Sequence, residues 1–193
     1  MEIDACTTIH ATSINFHPVI DGWLAISRTV YGGPEYSNRG GLQLFTRSLV
    51  FQRDQMARFR SDAVSLARLL TSLGHLRFQA DTPRRLAPVT LPDRISTAWM
   101  PDITSDADRV MVDRLLRFVD QASVAVIGAN DPMAVLMAVL SRMPERGRLE
   151  LSFTTGLKPS IYRPFRIQFL PSVDATLQRH LNSQGVSILE VQN

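Results

Sequence analysis

An α+β fold is predicted for this 193-residue chain by two changes of hydrophobic period and one run of prolines. The first fifty residues alternate with period two, and helical spacing then takes over; most of the second half interleaves helical stripes with short apolar strands. Between them, residues 81–104 hold Pro83, Pro88, Pro92 and Pro101. The expected organisation is an N-terminal region over 1–80, of antiparallel strands plus a helix, a proline-rich connector over 81–104, and a ferredoxin-like βαββαβ region over 105–193.

Residues 5–16, 23–31 and 42–51 read as three strands of a meander, the last placing Leu42, Leu44, Thr46 and Ser48 on one face. Leu66, Leu69, Leu70 and Leu73 follow i, i+3, i+4, i+7 with Gly74 behind them, which predicts a helix over 61–73. Each connector proline removes a backbone donor and biases its predecessor away from helix. The apolar Leu86, Val89, Leu91, Ile95 and Trp99 are expected to hold that segment against the surface.

In the second half, Ser105 is placed to cap a helix with Val112, Leu115, Leu116 and Val119 inward, and Val124–Ile127 reads as a buried strand. Asn130 or Asp131 ahead of Pro132 starts a helix striped by Met133, Leu136, Met137 and Leu140. Leu149, Leu151 and Phe153 alternate with polar residues, as do Phe165, Ile167 and Phe169, and the two runs read as an antiparallel hairpin beneath that helix. Val173, Leu177 and Leu181, ended by Gly185, mark a last helix before a strand over 186–191. This is the order of the split βαβ plan, with two helices on one face of a four-stranded antiparallel sheet.

Composition limits the chemistry. At 45% apolar and 20% charged the chain can bury a core without staples, and Cys6, its only cysteine, can form no intrachain disulfide. Apolar runs such as Met133–Leu140 fall short of a membrane span and no basic, apolar leader opens the sequence, so a cytoplasmic protein without membrane contact is expected. Cys6 and His10 would lie about 13 Å apart on a strand, too far to share one metal. Neither a Gly-x-Ser-x-Gly elbow nor a His-Glu-x-x-His pair occurs, so the expectation leans against an enzyme, with no catalytic residue, metal or cofactor assigned. Nucleic acid is not expected as a partner, because the strand at 124–127 lacks a stacking aromatic and Phe165 and Phe169 share the inward parity of Ile167.

The formal charge of +3 hides an asymmetry. Residues 28–85 carry ten arginines against Glu35, Asp54, Asp62 and Asp81, so an electrostatic partner surface belongs to the first half. Two segments are candidates. Tyr31 to Gly41 reads as a long loop holding four of the ten glycines, with Tyr31, Tyr36 and Arg39 as contact residues. Ser152 to Arg166 reads as a hairpin whose tip presents Lys158 and Arg163. Gly128–Pro132 lacks the glycines and the lysine of a phosphate loop and reads as a capped turn.

The sequences Tyr36-Ser-Asn-Arg-Gly-Gly-Leu-Gln-Leu-Phe-Thr46, Leu49-Val50, Ala57-Arg58-Phe59, Leu151-Ser-Phe-Thr-Thr-Gly-Leu-Lys-Pro-Ser160 and Arg163-Pro-Phe-Arg166 resemble a group of uncharacterised planctomycete proteins. These are similar, more loosely, to the N-terminal and middle regions of GTPase-associated proteins from bacterial conflict systems, over roughly residues 20–170. The resemblance implies a non-enzymatic adaptor or regulator whose partner is another protein, a GTPase or other effector, and it carries no active site. Family members usually continue into further domains, so a stand-alone module and a part of a longer chain are both expected readings. A second functional reading is a regulator that binds a nucleotide or anionic small molecule through the arginine-rich first half.

Overall fold

The computed structural model describes residues 12–34, 42–77, 87–92, 106–157, 159 and 165–191. They form an α+β architecture built on one seven-stranded sheet. Strands β1 (Thr12–Ile20), β2 (Trp23–Pro34) and β3 (Leu42–Gln52) make the expected antiparallel meander. The first turn is tight, Asp21-Gly22, with Gly22 at φ +75°, a conformation that favours glycine. A 3₁₀ segment, Arg53–Phe59, leads into helix α1 (Ala63–Ser72). Asp62 caps α1, its Oδ1 accepting from the N–H groups of Val64 and Ser65 at 3.0 Å, and Gly74 at φ +80° follows the helix as its sequence position predicts.

The remaining elements are α2 (Asp106–Phe118), β4 (Val124–Ile127), α3 (Pro132–Arg142), the single turn α4 (Glu145–Arg148), β5 (Phe153–Thr154), β6 (Ile167–Leu170), α5 (Ala175–Ser183) and β7 (Ser187–Glu190). Across the sheet they lie in the order β3-β2-β1-β5-β6-β4-β7, so one sheet runs through both halves of the chain. The joint is β5. Its two residues pair antiparallel with β1, through Asn15↔Thr154 and Phe16↔Phe153, and parallel with β6.

The strand directions correct the ferredoxin-like expectation. That plan needs β5 and β6 antiparallel, whereas they run parallel, as do β4 with β6 and β4 with β7. The stretch 155–166 is long enough for the crossover that a parallel return requires. Glu145–Arg148 also takes a helical turn, which leaves only Phe153–Thr154 of the expected run 149–154 as strand.

Parallel connections are right-handed, so two that travel in opposite lateral directions place their helices on opposite faces. The connection from β4 to β5 passes β6 and carries α3, and the one from β6 to β7 passes β4 and carries α5. Accordingly α1, α2 and α3 share one core with Phe16, Leu24, Ile26, Val124, Val126, Leu151, Phe153, Ile167 and Phe169. On the opposite face, α5 brings Leu181 against Ala125, Ile127 and Leu170. In the connector, Leu91 packs against the larger core; residues 81–86 and 93–104 of that connector lie outside the described residues.

Candidate interaction surface

The strand directions sort the connections between two ends of the sheet. β1 runs from Thr12 to Ile20, so its start, the end of β2 at Tyr31 and the end of β5 all lie at one end. The parallel strands β4, β6 and β7 point their carboxyl ends the same way. Tyr31 and the exit of β5 are two strands apart, about 10 Å sideways at ordinary strand spacing, with Tyr31 about four residues farther toward that end than Thr154. The carboxyl end of parallel strands is where α/β sheets place their ligand crevices.

Among the predicted contact residues, Tyr31 is half-buried in β2 opposite Leu44. Tyr36, Arg39, Lys158 and Arg163 lie outside the described residues. The loop expected over Tyr31–Gly41 is shorter than it reads, because β2 continues through Pro34 with a register shift between Tyr31 and Pro34. Pairing with β3 overrides the local preference of Gly32-Gly33 for a turn. At the other segment, the N–H of Leu157 donates to Thr154 Oγ1 at 3.1 Å and the N–H of Ile14 donates to Thr155 Oγ1 at 2.8 Å. These bonds fix the exit of β5 against β1, immediately before Lys158.

On the face away from α1, α2 and α3, a row of polar side chains crosses the sheet. Asn15 is its hub and is 1% exposed. Its Oδ1 accepts from Ser13 Oγ at 2.8 Å and Thr154 Oγ1 at 2.7 Å. Its Nδ2 donates to Ser27 Oγ at 3.1 Å and Thr29 Oγ1 at 3.2 Å, and Thr29 and Thr46 hydroxyls meet at 2.9 Å. Gln168 continues the row beside Thr154; it is 4% exposed, and its Oε1 has no hydrogen-bond partner. The same face bears Phe165, whose ring meets His17 edge-on at 6.0 Å. The period-two polar pattern at Ser13, Asn15, Ser27 and Thr29 is visible in the sequence, but nothing there separates a buried polar face from a wet one.

Strand β3 borders the sheet and exposes Leu44, Thr46, Ser48 and Val50 on this face while Leu49 and Phe51 pack inward. Several arginines of the basic first half are engaged within the molecule. Arg47 Nη1 donates to Arg77 O at 3.0 Å, Arg53 pairs with Glu150, and Arg58 lies 5.9 Å from the Phe59 ring centroid.

At the carboxyl end, the helix N-termini of α3 and α5 are occupied by the chain's own carboxylates. Asp131 Oδ1 accepts from Ala134 N at 3.0 Å and Asp174 Oδ1 from Leu177 N at 2.7 Å. The turn Gly128–Pro132 is thus capped as its sequence predicts, and a phosphate there would meet negative charge. Among the described residues no three His, Cys, Asp or Glu side chains gather as a metal site, and no helix is long and apolar enough to cross a membrane. The chain matches no family model, no curated protein and no solved structure.

Proposed function

We propose that this chain is a non-enzymatic interaction module, an adaptor or regulator that binds another protein through the carboxyl end of its sheet. The observation that carries the reading is topological. The ends of β2 and β5, which lead toward Tyr36 and Arg39 and toward Lys158 and Arg163, lie at the same end of the sheet and two strands apart. Tyrosine and arginine concentrate binding energy because they bring large rigid area and forked hydrogen bonding. The resemblance supports a GTPase or other effector of a cytoplasmic bacterial conflict or signalling system as the partner. The aspartate caps on α3 and α5 weigh against a nucleotide or other anion at that end.

The test is Arg39→Ala, with affinity for the GTPase or effector encoded beside this chain measured against melting temperature. Binding should weaken by at least about 2 kcal/mol, roughly thirtyfold, with melting nearly unchanged. Added salt should slow association of the wild type, as screened steering requires. Equal losses in binding and stability, or a variant that binds with wild-type affinity and salt dependence, would overturn the reading.

A further inference from the structure

At the opposite end of the sheet lies a solvent-open depression of about 660 Å³. It is formed where the β1–β2 turn, the 3₁₀ segment, the start of α1 and the approach to β5 converge. Trp23 and Tyr31 are eight residues apart along β2, so it stands about 26 Å from the surface proposed above. Its border includes Asp21, Trp23, Arg53, Asp54, Ser61 and Leu149.

Among the described residues its lining holds two carboxylates, Asp21 and Asp54, and one cation, Arg53, whose guanidinium is paired with Glu150; Arg148 stands just outside, bound to Arg60 O. Asp21 and Asp54 enter no ion pair or side-chain hydrogen bond among the described residues. A second observation is independent of the carboxylates. Ser61 is only 6% exposed yet borders the depression, and its hydroxyl has no hydrogen-bond partner among the described residues. The backbone holds it there. Arg60 and Ser61 are at φ +53° and +56°, Ser61 N donates to Met56 O at 2.9 Å, and Arg148 Nη1 donates to Arg60 O at 3.0 Å.

We infer that this depression binds an arginine side chain of a partner polypeptide. Two unpaired carboxylates and an unpaired hydroxyl offer acceptors from separate segments, which suits the several fixed donors of a guanidinium. Trp23, about one-third exposed, supplies an indole on which a guanidinium stacks. Leu149 gives the side chain's aliphatic stem an apolar contact. This site lies beyond the proposed partner surface and is independent of it: the Arg39 test and the one below can fail separately.

The experiment is a titration of the full ¹⁵N-labelled chain with the blocked peptide acetyl-Leu-Arg-Leu-amide, read by amide and indole chemical shifts. Saturable shifts are expected at Asp21, Gly22, Arg53, Asp54 and the Trp23 indole. The same peptide with citrulline, equal in shape and uncharged, should bind at least about tenfold more weakly, and so should the arginine peptide to Asp54→Asn. Ser61→Ala should weaken binding about fivefold with the melting temperature measured alongside. The citrulline comparison on the wild-type chain decides the matter even where a variant folds poorly. Shifts that do not saturate, shifts centred elsewhere, or equal binding of the citrulline peptide would overturn the inference. Free arginine binding as tightly as the peptide would overturn the polypeptide as occupant.

Discussion

Phe153→Ala should lower the unfolding free energy by about 3–5 kcal/mol, a large share of the roughly 5–15 kcal/mol that holds a domain folded. Phe153 is fully buried, and its ring lies 5.8 Å from that of Phe16. Two consequences combine at this position. Truncation leaves a cavity among Leu136, Leu151, Ile167 and Phe169, which belong to the same core. It also strips the one large apolar side chain from the two-residue strand that joins the antiparallel meander to the parallel strands, where Phe153 pairs with Phe16 on one side and Ile167 on the other. Urea denaturation followed by circular dichroism measures the loss. A change below about 1.5 kcal/mol would show that the joint collapses around the smaller side chain and that the cavity term is small.

The same strand shows where sequence reading succeeds and where it stops. Leu151, Phe153, Ile167 and Phe169 are buried as their alternation predicts, because period two reports which face a side chain occupies. It carries no information on strand direction, so the parallel pairing of β5 with β6 was hidden. Helices fared better. The leucine spacing before Gly74 and the Asp131-Pro132 start are local physics, satisfied by caps and left-handed turns within a few residues, and both recur in the structure. Tyr31 was legible as a contact candidate from its glycine-rich surroundings, but the extension of β2 through Pro34 depends on β3 as a partner. The depression at Ser61 was illegible, since Asp21, Asp54 and Leu149 converge only through the sheet order and the unusual backbone of Arg60 and Ser61.

Asn15→Leu should cost about 2–4 kcal/mol although it keeps the branching of the side chain, with methyls somewhat larger than the amide atoms they replace. The reason is what the substitution leaves behind. Asn15 Oδ1 receives the hydroxyls of Ser13 and Thr154, and Nδ2 serves Ser27 and Thr29, all of them buried. Ser13 and Thr154 hydroxyls stand 3.0 Å apart and can bond each other, which recovers part of the loss. Thr29 keeps its contact with Thr46, which leaves Ser27 facing a leucine, and a buried polar group without its partner costs about 1–3 kcal/mol. Gln168 provides the control within the same row. Its Oε1 is already without a partner, so Gln168→Met removes an unmet acceptor and should be neutral or stabilising. Both variants are compared with wild type by urea midpoint at constant m. If Asn15→Leu proves no more destabilising than Gln168→Met, the polar row is not the bonded network that ties β2 through β1 to β5.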